Sequence, residues 1–89
     1  MEILVKLKEE KDSAWIFEAQ VDGTDYQVTV SKEYWEELTK KKITPEDLVR
    51  KSFEFLLARE PKESILGEFE LPIIQSYFPE YESEIQKLS

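Results

Sequence analysis

Residues 14–30, AWIFEAQVDGTDYQVTV, constrain the fold more than any other stretch of the chain. Trp15, Phe17, Ala19 and Val21 alternate with Ile16, Glu18 and Gln20; Tyr26, Val28 and Val30 alternate with Gln27 and Thr29. A period of two puts one set of side chains on a buried face and the other in water. Between the runs lies Asp22-Gly23, a pair that favours a two-residue type I′ turn because both central residues need positive φ. A turn there pairs Val21 with Thr24, Ala19 with Tyr26, Phe17 with Val28 and Trp15 with Val30. Those side chains all share the apolar face. Turn chemistry and hydrophobic pattern thus specify the same register.

The preceding run adds a strand. Ile3, Val5 and Leu7 alternate with Leu4, Lys6 and Lys8, and a turn around Glu10-Lys11-Asp12 sets Leu7 against Trp15, Val5 against Phe17 and Ile3 against Ala19. The first third is read as a three-stranded antiparallel meander with one apolar face.

Helices follow. Ser31 is placed to cap a helix over 32–41, whose apolar stripe is Tyr34, Trp35 and Leu38 and whose end is Lys40-Lys41-Lys42, where cations suit the negative end of the dipole. Thr44, Pro45, Glu46 and Asp47 form a strong second start, with Ile43 and Leu48 as a hydrophobic staple. Leu48, Val49, Ser52, Phe53, Leu56 and Leu57 form one face of this helix, which runs over 45–59 and stops before Pro61. Pro61, Pro72 and Pro79, with Gly67, divide the last third into short helical turns at about 62–66, 72–77 and 80–88. The fold class is therefore α+β: a three-stranded antiparallel meander packed on two main helices, with short C-terminal helical turns, in one domain over 1–89.

Several chemistries lack their usual residues. The 89 residues include neither Cys nor His, which removes disulfides, thiolate metal sites and the commonest general base. Only Gly23 and Gly67 are available for a phosphate loop, and no EF-hand spacing occurs. The serines have no histidine to activate them. Glu9-Glu10, Glu36-Glu37 and Glu46-Asp47 are adjacent pairs, and neighbours on a helix point about 100° apart rather than to one face. No cofactor, metal or catalytic residue is expected, and the chain reads as a non-enzyme. MEILVKLKEE has neither a basic head nor a long apolar run, so the expected location is the cytoplasm, with no membrane partner. The absence of Asn beside abundant Lys and Glu leans toward a thermophile source.

Charge is unevenly spread. The net charge is −8, and residues 60–89 carry two Lys and seven Glu, a net of −5. Such a chain is repelled by phosphate unless its field is strongly local. Within that acidic third, Ile73, Ile74, Tyr77, Phe78 and Tyr81 crowd into nine residues. They read either as a lid over the open end of the core or as a partner-binding surface, since aromatics with little charge among them suit an interface core.

Two resemblances bear on function. YQVTVSKEYWEELTKKKITPEDLVRKSFEFLLARE resembles the ribbon-helix-helix DNA-binding repressors, over a little more than a third of the chain. That likeness implies a β-ribbon reading the major groove, with Gln27 and Thr29 on its wet face and Lys40, Lys41 and Lys42 on phosphate. The wet face Asp25, Gln27 and Thr29 carries no cation. Element order also resembles the small antitoxin domains that bind a toxin protein. REPKESILGEFELPIIQSYFPEYE resembles a small prokaryotic family that implies no activity. The function read from the residues is a small non-catalytic protein-interaction or regulatory module, with a homodimer among its expected assemblies. The alternative is a ribbon-helix-helix-like DNA-binding regulator or antitoxin.

Overall fold

The structure, a computed structural model, describes residues 2–88. Three strands, β1 (Ile3–Glu10), β2 (Ala14–Val21) and β3 (Thr24–Ser31), form an antiparallel meander. Asp22 and Gly23 take φ of 48° and 83°, the type I′ pattern. The β2–β3 register matches the expectation at Val21–Thr24, Ala19–Tyr26, Phe17–Val28 and Trp15–Val30.

The first hairpin departs from its expected register. Ile3 lies opposite Val21, Val5 opposite Ala19 and Leu7 opposite Phe17, two residues from the anticipated partners. The reversal falls later, at Lys11 to Ser13, where the Lys11 N–H donates to the Ala14 carbonyl at 2.8 Å. A bulge between Leu7 and Glu9 absorbs the extra residue. A slip of two preserves the faces, so the same side chains still point toward the core.

A fourth strand corrects the three-stranded expectation. β4 (Glu68–Glu70) pairs in parallel with β3, Phe69 opposite Val28, giving the order β1-β2-β3-β4. The Gln27 N–H donates to the Gly67 carbonyl at 2.8 Å and the Leu71 N–H to the Thr29 carbonyl at 3.0 Å. A parallel pair needs a long crossover, and here the two main helices supply it. The helical turn expected at 62–66 is only a 3-10 turn at Lys62–Ser64.

Helix α1 (Lys32–Thr39) is capped by the Ser31 hydroxyl, which accepts the Tyr34 N–H at 3.3 Å. It ends two residues earlier than expected, because Lys40 and Lys41 both turn left-handed, at φ 56° and 62°. Helix α2 (Pro45–Leu57) is capped by Thr44, whose Oγ1 accepts the Asp47 N–H at 3.1 Å. It too is two residues shorter than expected. Phe53, Leu48 and Val49 are fully buried facing the sheet. Phe55, which the expected apolar face did not include, is also buried: its ring meets Tyr81 and Phe78 edge-on at 5.3 and 5.8 Å. Helices α3 (Ile73–Tyr77) and α4 (Tyr81–Leu88) therefore cover a second side of α2. No helix of the described residues covers the opposite face of the sheet.

Candidate functional site

The five residues of the C-terminal aromatic segment divide between core and surface. Ile74 and Tyr81 are buried, Phe78 is half-buried, and Ile73 and Tyr77 are exposed, Tyr77 by 64%. Tyr81 is anchored by its hydroxyl, 2.6 Å from Ser52 Oγ, which itself donates to the Leu48 carbonyl at 2.7 Å. That leaves the tyrosine as donor to the serine. From the neighbouring position the Glu82 carboxylate accepts the Tyr34 hydroxyl at 3.0 Å. Helix α4 is thus fixed to α2 and α1 by one hydrogen bond each. Its fixed position holds the short α3 with Ile73 and Tyr77 outward.

These side chains form one wall of an apolar groove of about 290 Å³. The other walls are Leu56 at the end of α2, and Ile65, Leu66 and Phe69 around β4. Leu66 is 48% exposed at the rim. Ile73, Ile74, Tyr77 and Phe78 all line this groove, whereas Tyr81 lies inside the core. Sequence reasoning missed Leu66, Ile65 and Phe69, because they join the site only when β4 pairs with β3. The one available signal was the pair Ile65-Leu66 standing beside Gly67.

One acidic residue, Glu60, lines the groove. Glu68 and Glu70 flank the core-facing Phe69 on β4 and so lie on the helix-free face of the sheet, where Glu68 accepts from Gln27. Arg59, next to Glu60 in the chain, is engaged elsewhere: it lies 3.7 Å above the Phe55 ring and pairs with Glu80 at 3.3 Å. Lys62 donates to the Asp22 carbonyl at 3.0 Å.

Burial raises the Tyr81 hydroxyl well above the ordinary tyrosine range. Burial also raises Tyr34, with the neighbouring Tyr81 and the Glu82 carboxylate adding to it, and raises Tyr26 with a contribution from Glu63. All three phenols stay protonated at neutral pH and act as donors. Among the described residues no three carboxylates converge on a point where a metal ion could sit.

The residues that the ribbon-helix-helix likeness singled out are not brought together. Gln27 and Thr29 lie on the helix-free face of the sheet; Gln27 accepts from Lys8 at 2.8 Å and donates to the Glu68 carboxylate. Lys40, Lys41 and Lys42 are exposed in the helix layer on the other side, with Lys41 3.7 Å from Glu36. Strand β3 is internal, with β2 along one edge and β4 along the other. Neither edge is free to form a ribbon with a second chain.

No protein-family model, no curated protein and no solved structure matches the chain. No helix of the described residues is long and apolar enough to cross a membrane.

Proposed function

We propose that the chain is a non-catalytic protein-interaction module, and that its contact surface is the groove between α2, β4 and α3. The observation that carries this reading is the clustering of exposed Leu66, Ile73 and Tyr77 around one concave apolar site. Large apolar side chains gathered in this way mark contact surfaces. Charge narrows the occupant: Glu60 is the charged residue of the lining, so the groove suits a peptide segment with apolar anchors beside a Lys or Arg. Such flanks speed encounter and discourage acidic competitors.

A display selection from a random peptide library tests this. Immobilised wild-type protein enriches sequences with one or two large apolar residues beside basic ones, and the double variant Ile73→Asp, Tyr77→Ala loses them. Enriched sequences without basic flanks, or retained equally by the variant, overturn the reading. A DNA duplex shifted at micromolar protein in about 150 mM salt, tighter than ordinary non-specific binding, supports the nucleic-acid alternative instead.

A further inference from the structure

The exposed edge of β1 offers a second surface, independent of the groove. Antiparallel ladders alternate, so successive residues point their N–H and C=O groups to opposite sides. In β3 the odd residues face β4, as the Gln27 N–H to Gly67 and Leu71 N–H to Thr29 bonds show. Its even residues therefore bond to their odd partners in β2, beginning with Thr24 and Val21 at the turn. The even residues of β2 then face β1, where Gln20 meets Leu4 and Glu18 meets Lys6. Ile3, Val5 and Leu7 are left with their backbone groups directed outward, and no strand of the described residues lies there. Leu4 and Leu7 are 51% and 41% exposed on the same strand.

We propose that β1 pairs with β1 of a second copy of this chain, antiparallel about a two-fold axis at Val5, joining two four-stranded sheets into one of eight strands. The bulge limits the regular part of the strand to Ile3 through Leu7, and Val5 is its midpoint. This axis places outward-bonding residues opposite one another: Val5 faces Val5, and Ile3 faces Leu7 of the second copy. On the core side every cross-strand pair is apolar. On the open face Leu4 meets the stem of Lys6; at each end of the seam, beyond the regular pairing, Glu2 comes beside the bulged Lys8 of the other copy, which exchanges its bond to Gln27 for an opposite-charge pair formed twice by symmetry. Moving the axis to Lys6 sets two lysines directly opposite and runs into the bulge. Moving it to Leu4 excludes Leu7 from the regular pairing. The two copies also meet through a nearly neutral edge, since residues 2–10 carry three acids and two lysines. The acidic Glu68 and Glu70 lie on β4, at the opposite edge of the sheet.

Light scattering over a concentration series tests the pairing. The wild-type protein reaches twice the mass of one chain by tens of micromolar. Val5→Pro removes an outward N–H and no bond within the chain, a placement proline tolerates at an edge, so the variant stays folded and monomeric. Glu2→Lys puts two lysines opposite each other and raises the dimer dissociation constant by about fivefold; adding Lys8→Glu restores it. A single-chain mass at every concentration overturns the proposal. So does a dimer indifferent to a folded Val5→Pro, or one in which the charge exchange neither weakens nor restores. If Val5→Pro does not fold, the Glu2 and Lys8 variants decide alone.

Discussion

The Ser52–Tyr81 hydrogen bond makes an asymmetric prediction. Both residues are fully buried, and no buried side-chain polar atom among the described residues lacks a partner. The serine proton goes to the Leu48 carbonyl, so the tyrosine proton goes to the serine oxygen. Ser52→Ala leaves the Tyr81 hydroxyl with no acceptor in an apolar site, at a cost of about 2–3 kcal/mol. Tyr81→Phe removes the donor and leaves Ser52 bonded to Leu48, costing about 1 kcal/mol. The double variant has no orphaned group, so it costs less than the sum of the two and no more than Ser52→Ala alone. Urea unfolding, followed by the fluorescence of Trp15 and Trp35, measures all three differences. Additive costs, or a Tyr81→Phe costlier than Ser52→Ala, would refute the assignment of donor and acceptor.

Other expectations are simpler. Gly23→Val costs about 1–2 kcal/mol, from positive φ alone because nothing crowds the added carbon; unchanged thermal stability contradicts it. Phe53→Ala costs roughly 3–5 kcal/mol from a fully buried site, read from the urea midpoint. Lys40→Gly relieves a left-handed lysine and raises the melting temperature by roughly 4 °C. Alkaline pH weakens the fold: with the Tyr81 hydroxyl raised by burial, both states are protonated below about pH 10. Above it the unfolded chain ionises while the folded one keeps its proton, so stability falls by up to about 1.4 kcal/mol per pH unit for Tyr81. Tyr81→Phe flattens that fall in urea titrations between about pH 9 and 11.

Where a local signal and a global pattern coincide, the chain is readable. Asp22-Gly23 and the alternation on either side specify the β2–β3 register independently, and Thr44-Pro45 marks the start of α2 in the same way. The features that escaped depend on contacts distant in sequence or on a cost borne without a signal. Glu68-Phe69-Glu70 is too short to show a period, and its pairing with β3 closes across some forty residues. The bulge after Leu7 has no glycine to announce it. Lys40 and Lys41 adopt a conformation that glycine would advertise, and the buried Thr39 compensates by accepting the Lys41 N–H at 3.2 Å while donating to the Trp35 carbonyl at 2.7 Å. The aromatic segment was visible as a candidate, but its division into buried Ile74 and Tyr81 and exposed Ile73 and Tyr77 depends on how α4 seats against α2. The remaining walls of the groove come from residues that only the fourth strand brings near.

The most direct measurement of the interaction reading is a methyl-selective NMR titration of the intact protein with a peptide taken from the display selection. The account predicts that the largest shifts fall on Leu56, Ile65, Leu66, Ile73 and Ile74, the methyl-bearing residues that line the groove. Val5, Ile16 and Val30 remain where they were. Shifts concentrated on the β1 edge or the helix-free face of the sheet, with the groove methyls unmoved, would contradict it.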